Sequence, residues 1–108
     1  MFAVSVIGVG MPAVHRKGDA CTGHGCFPPR KNIQASSNVI VNSKGWHRRG
    51  DKWAGHCCGD SCHCDPPCKL AMGSSNVYVN SKNAGRIGDP VSCGSAAGTG
   101  SPTVFCGG

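Results

Sequence analysis

Two stretches of the chain alternate apolar and polar residues over the same short span, with Val39 and Val41 on one side of the first and Val77 and Val79 on one side of the second. Each stretch opens on Ser-Ser-Asn, reverses at Asn-Ser-Lys and closes on Arg-x-Gly-Asp. Period-two alternation broken by turn-forming residues predicts a β-hairpin in each. The two copies, residues 36–51 (SSNVIVNSKGWHRRGD) and 74–89 (SSNVYVNSKNAGRIGD), agree at 11 of 16 positions without a gap. They are therefore an internal repeat.

The ends of the chain carry the missing halves of a third copy. Arg16-Lys17-Gly18-Asp19 repeats the closing half, and Ser101-Pro102-Thr103-Val104-Phe105 repeats the opening half. Pairing the C-terminal opening with the N-terminal closing predicts an all-β fold of three equivalent hairpins about a pseudo-threefold axis, with few free strand edges. Val39, Val41, Val77, Val79 and Val104 are expected inside. The Gly-Asp steps predict turns, with Gly taking positive φ and Asp bonding the backbone that follows.

Composition explains why such a fold needs help. The 108 residues include 17 Gly, 7 Pro and only 6% aromatics, which leaves little for a large apolar interior. Nine Cys and five His offer the alternative of cross-links or a structural metal. Nine is odd, so disulfides alone leave a thiol over, and the mixing of Cys with His at Gly55-His56-Cys57-Cys58 and Cys62-His63-Cys64 favours a metal, with some disulfides beside it. Three loops follow the three Gly-Asp steps. His24 comes five residues after Asp19, His56 five after Asp51, and Cys93 four after Asp89. A tetrahedral ion needs a fourth donor, and the one segment that breaks the symmetry, Cys57 to Cys68, is where it must come from. His63 is the first choice, while Cys57, Cys62 and Cys64 stay open. Cys21, Cys26 and Cys106 are undecided between buried thiols, disulfides and a second site.

Charge narrows the function classes. Eleven Lys and Arg against five Asp and no Glu give a formal +6, but no basic run exceeds two residues, which reads as a solvated surface. A small zinc-binding nucleic-acid module is the alternative reading; no Cys-x2-Cys pair recurs at ribbon spacing to support it. No Gly-x-Ser-x-Gly or His-Glu-x-x-His pattern is present, and a site with four protein donors leaves no open metal position, so no enzyme is expected. Residues 1–10 are apolar but lack a basic leader, so they are expected to be an N-terminal extension or an upstream start, not a signal peptide, ahead of a single domain at 11–108.

Gly18 to Gly25 followed by Cys-Phe-Pro-Pro-Arg, the Gly-Asp-Lys-Trp-Ala-Gly-His-Cys-Cys centre at 50–58 and the Gly-Asp-Pro-Val-Ser-Cys-Gly loop at 88–94 resemble the PAAR-repeat family. The Pro-Ala-Ala-Arg motif of that family is kept here only in its arginine, at Arg48 and Arg86. The resemblance implies a small cone of hairpins with a zinc near the point, iron being the other metal left open, held by His24, His56, His63 and Cys93. It further implies a tip seated on a trimeric β-helical spike of a phage tail baseplate, a tailocin or a type VI secretion system. Such a tip meets the target cell's outer membrane transiently, binds no nucleic acid or small-molecule substrate, and resides in the virion tail or a secreted injection apparatus.

Overall fold

The computed structural model describes residues 11–64 and 67–108. The expectation of an extension at 1–10 lies outside the described residues. Among those residues there is no helix, and the regular strands form three antiparallel pairs. Strand β1 (Ile40–Val41) pairs with β2 (Lys44–Gly45), β3 (His56–Cys58) with β4 (Ser61–His63), and β5 (Tyr78–Val79) with β6 (Lys82–Asn83).

The β1–β2 and β5–β6 hairpins are the two repeat copies. Their turns are the two residues Asn42-Ser43 and Asn80-Ser81, all four with φ between 52° and 66°, the left-handed pairing that matches strand twist in a two-residue hairpin. Each hairpin is opened by a buried serine whose Oγ accepts the backbone N–H three residues on: Val39 to Ser36 at 2.9 Å and Val77 to Ser74 at 3.0 Å. The third unit is made as the repeat predicts, from the two ends. Ser101 Oγ accepts from Val104 N at 2.8 Å, and Val14 N donates to Val104 O as Trp46 N does to Val39 O and Ala84 N to Val77 O, each at 3.0 Å.

The three units meet on a ring of backbone hydrogen bonds. His47 N donates to His15 O, His15 N to Gly85 O and Gly85 N to His47 O, at 3.0, 3.0 and 2.8 Å. Each donor and acceptor is a repeat-equivalent position, so the ring surrounds the pseudo-threefold axis. A Cβ on Gly85 would lie 2.5 Å from His47 O, so the third member of the ring has no room for the side chain the other two carry. Below the ring, Val14, Trp46 and Ala84 occupy one equivalent position and all are fully buried. The Trp46 indole fills what the smaller two leave and donates to Gly85 O at 2.9 Å. Val39, Val41 and Val79 are buried there, with Val77 and Val104 packed against them, as expected. Cys106 stands where Val41 and Val79 stand in the other units, which makes it a core residue.

Above the ring a second cluster holds Cys21, Trp53, Val91, Leu70 and Ala97. Cys21, Trp53 and Val91 are again equivalent, joined by bridges to Ala97, Asn32 and Leu70 of the neighbouring unit. Cys21 is thus a second buried thiol in a core position. Between the clusters lie His15, stacked on Trp53 at 5.0 Å, and His47, edge-on to both rings. Each donates from Nδ1 to a carbonyl: His15 to Thr99 O at 2.7 Å, His47 to Gln34 O at 2.6 Å. Burial, reinforced by the neighbouring His15, pushes His47 down to about 4, and burial lowers His15 as well.

The Arg-x-Gly-Asp closings differ from their sequence reading in one respect. The glycines take positive φ (86°, 88° and 93° at Gly18, Gly50 and Gly88), but the carboxylate turns back to its own arginine and not to the backbone that follows. In every unit the Arg N and Nε donate to one Asp oxygen and Nη2 to the other, over 2.8–3.1 Å. Burial works against ionisation of Asp19, yet the hydrogen bonds from Arg16 hold its carboxyl below the ordinary range, while Asp89 raises the Arg86 guanidinium. Arg16, Arg48 and Arg86 are therefore interior ion pairs and not the solvated surface charges expected of them. Arg16 and Arg48 reach further, donating to Asn42 and Asn80 at the tip of the next hairpin.

Removing one partner of a buried pair strands the other, at a cost of about 3 kcal/mol or more. Asp51→Asn, at the pair whose carboxylate is wholly buried, is expected to lower denaturant-measured stability by about that amount, and Asp89→Asn, at a more open pair, by less. Equal losses would show that burial does not set the value of these pairs. The depressed His47 also gives a pH dependence of known sign. Because the unfolded chain takes up this proton first, the contribution is whole above about pH 6.5, falls towards pH 4 and is spent below it. Chemical denaturation across that window is expected to show a stability slope up to about 1.4 kcal/mol per pH unit steeper in wild type than in His47→Gln.

Candidate metal centre

Three loops rise from the second cluster, each closed at its foot by an equivalent bridge: Ala20 with Lys31, Lys52 with Lys69, and Pro90 with Ala96. His24 sits in the first, in a tight reversal between Gly23 and Gly25 where His24 and Phe27 exchange both backbone hydrogen bonds. Cys93 sits in the third, at a turn closed by Val91 N to Ser95 O and Gly94 N to Val91 O. The second loop is the long one, because it carries the insert that breaks the symmetry. Its first part folds with His56 as the β3–β4 hairpin, with a turn at Gly59.

That hairpin's register decides which side chains share a face with His56. Residues directly opposite in an antiparallel pair put their side chains on the same face. His56 is opposite His63, so both imidazoles point one way, with ring centroids 4.5 Å apart. Cys57 is opposite Cys62 on the other face, and the two form a disulfide. Cys58 bonds Cys26 of the first loop, and Cys64 bonds Cys68. The thiols left as alternatives to His63 are thus all committed elsewhere.

The ligand atoms of His24, His56, His63 and Cys93 all lie within 4.8 Å of one another. The edges of a tetrahedral zinc site with three nitrogens and one sulfur run roughly 3.5 Å, so a small inward movement of each donor closes the set on one ion. The donor chemistry fits as well. His56 Nδ1 donates to Pro28 O at 2.7 Å, which fixes the tautomer and leaves Nε2 as a lone pair, buried and without a hydrogen-bond partner. His24 Nε2 and His63 Nε2 face each other at 3.1 Å. Desolvation, with the neighbouring His56 and His24, lowers His63 and keeps it in the neutral form a metal requires.

Sequence reasoning did not single out Phe27. Its ring packs against all three imidazoles, 4.2 Å from His63, 4.9 Å from His24 and 5.1 Å from His56, forming an apolar wall beside the donors. The signal was its place three residues after His24 in the first loop. The carbonyl of Pro28 that orients His56 comes from the next residue and carries no side-chain signal at all.

If these four residues share one ion, metal analysis of purified protein will find about one equivalent in wild type and none in either His24→Ala or Cys93→Ala. Unchanged metal content in both variants would rule out a common site.

The model of the PAAR motif family matches residues 33–98, well over half of the chain. The match covers both full repeat copies, His56, His63 and Cys93; His24 and the two halves of the split unit lie outside it. No curated protein matches the chain. Repeat, fold and family match agree, and the chain belongs to the PAAR-motif family of spike-tip modules.

Proposed function

We propose that this chain is a non-enzymatic, metal-stabilised tip that caps and sharpens the trimeric β-helical spike of a contractile injection machine, of phage-tail or type VI kind, and leads it through the outer membrane of the target cell. Residues 11–108 are the tip unit in this reading, and one zinc ion, held by His24, His56, His63 and Cys93, is its structural metal.

The observation that carries the proposal is the ring of His15, His47 and Gly85. It lets one polypeptide present three equivalent hairpins around an axis, the symmetry needed for a single chain to cover the end of a three-chain spike. A trimeric β-helix ends in three strand edges, and unpaired edges invite wrong pairing unless something covers them. Loops at the opposite end of the molecule converge on the four donors, so the same axis that meets the trimer ends on the ion.

A tip must carry load on few residues. Cys26–Cys58 ties the first loop to the second, whereas the third loop reaches the other two through no disulfide. Through Cys93 the ion supplies that missing tie. Structural zinc contributes roughly 10 kcal/mol or more to small domains, comparable with the whole stability of a fold this size.

Mixing the purified chain with a trimeric β-helical spike protein and measuring mass by light scattering tests the assignment. One copy per trimer is the expected result. Three copies per trimer, or no complex alongside salt-sensitive binding to DNA, would overturn it.

A further inference from the structure

Cys93 belongs to two clusters. Its Sγ is within 4.8 Å of the three imidazole donors, and it also lies within that distance of Cys64 Sγ and Cys68 Sγ, which are within it of each other. In the structure Cys64 and Cys68 are joined as a disulfide, while Cys93 is a free thiol. The three sulfurs come from the descending arm of the insert and from the third loop. Cys68 and Cys93 both pack on the Trp53 cluster, so the core holds this pair together whether or not the disulfide is present. Cys64, the residue after β4, takes a φ of 71°.

We infer that Cys64, Cys68 and Cys93 form a second metal site, closed by the disulfide and opened by its reduction, that favours a soft thiophilic cation such as Cd2+. The spacing Cys-x3-Cys is that of a zinc-binding pair, and a third thiolate already stands beside it. Sulfur edges in a tetrahedral thiolate site are about 3.8 Å, within what these atoms reach once the covalent bond between two of them is cut. Three thiolates outrank one thiolate and three imidazoles for the softest cations.

The chemistry balances with a phosphine as reductant. The phosphine attacks one sulfur of the disulfide, and water supplies the oxygen of the resulting phosphine oxide. Cys64 and Cys68 leave as thiols with the two protons of that water. A divalent cation then displaces one proton from each of the three thiols, and the three protons go to solvent. Because Cys93 is common to both donor sets, the redox state of Cys64 and Cys68 decides which set holds it. In a reducing compartment the sulfur set is available; oxidation withdraws two of its members and leaves Cys93 to the histidines.

The inference does not depend on the spike-tip assignment, and the test separates it from the histidine site. The full chain carrying His24→Ala and His63→Ala is titrated with Cd2+ before and after phosphine treatment, reading bound metal and the near-ultraviolet thiolate-to-cadmium absorption. The oxidised variant is expected to take up no ion. The reduced variant is expected to take up about one, with about three times the absorption per ion of a single-thiolate site. Cys64→Ser with Cys68→Ser in that background should abolish the band, and Cys57→Ser with Cys62→Ser should leave it intact. Wild type gives an independent reading, its absorption per ion rising about threefold on reduction. No uptake by the reduced variant, or a band that survives loss of Cys64 and Cys68, overturns the inference. Failure of oxidised wild type to bind any ion would count against the histidine site alone.

Discussion

Three backbone hydrogen bonds among His15, His47 and Gly85 are what the rest of the molecule hangs on. They join all three units at one level, and equivalent positions come together above and below them. Neither cluster of apolar residues is large. Each works because the ring stacks one beneath it and one above, so that a single Trp in each layer, Trp46 or Trp53, fills the axis that smaller residues in the other two units leave open. Size asymmetry among equivalent positions is how a one-chain assembly packs an axis that a true trimer would have to pack with three identical side chains.

The ion pairs play a different part. Each Arg-x-Gly-Asp closing satisfies a carboxylate with backbone and guanidinium donors from within four residues, so the pairs are local and form with the turn itself. Where Arg16 and Arg48 also reach the asparagine at the neighbouring hairpin's tip, a local device becomes a joint between units. Asn42 and Asn80 thereby answer two demands: they tolerate the left-handed turn and they weld one hairpin to the next.

Much of this was legible in the repeat. The hairpins, the closure of the third unit from the two ends, the inward valines and the three converging loops follow from equivalence between positions. The gathering of His24, His56 and Cys93 follows from their offsets after the Gly-Asp steps. What equivalence could not reach was the insert, because it has no counterpart in the other units. Its β3–β4 register, which turns His56 and His63 to one face and Cys57 and Cys62 to the other, is a property of one hairpin seen once. The buried arginines were missed because charge read along a sequence says nothing of where a turn folds a carboxylate back. Cys21 and Cys106 were readable in principle, since they align with Trp53 and Val91 and with Val41 and Val79, and their chemistry distracted from their position.

The split unit has a consequence for how the chain comes to be folded. Val14 N donates to Val104 O ninety residues later, so the third unit closes only when two distant stretches of chain meet. All three loops and all three strand pairs precede Ser101 in the chain, and the third unit stays open until residues 101–106 join it. Closing the third unit is therefore a step of high sequence separation, slow beside the turns and local ion pairs of the other two.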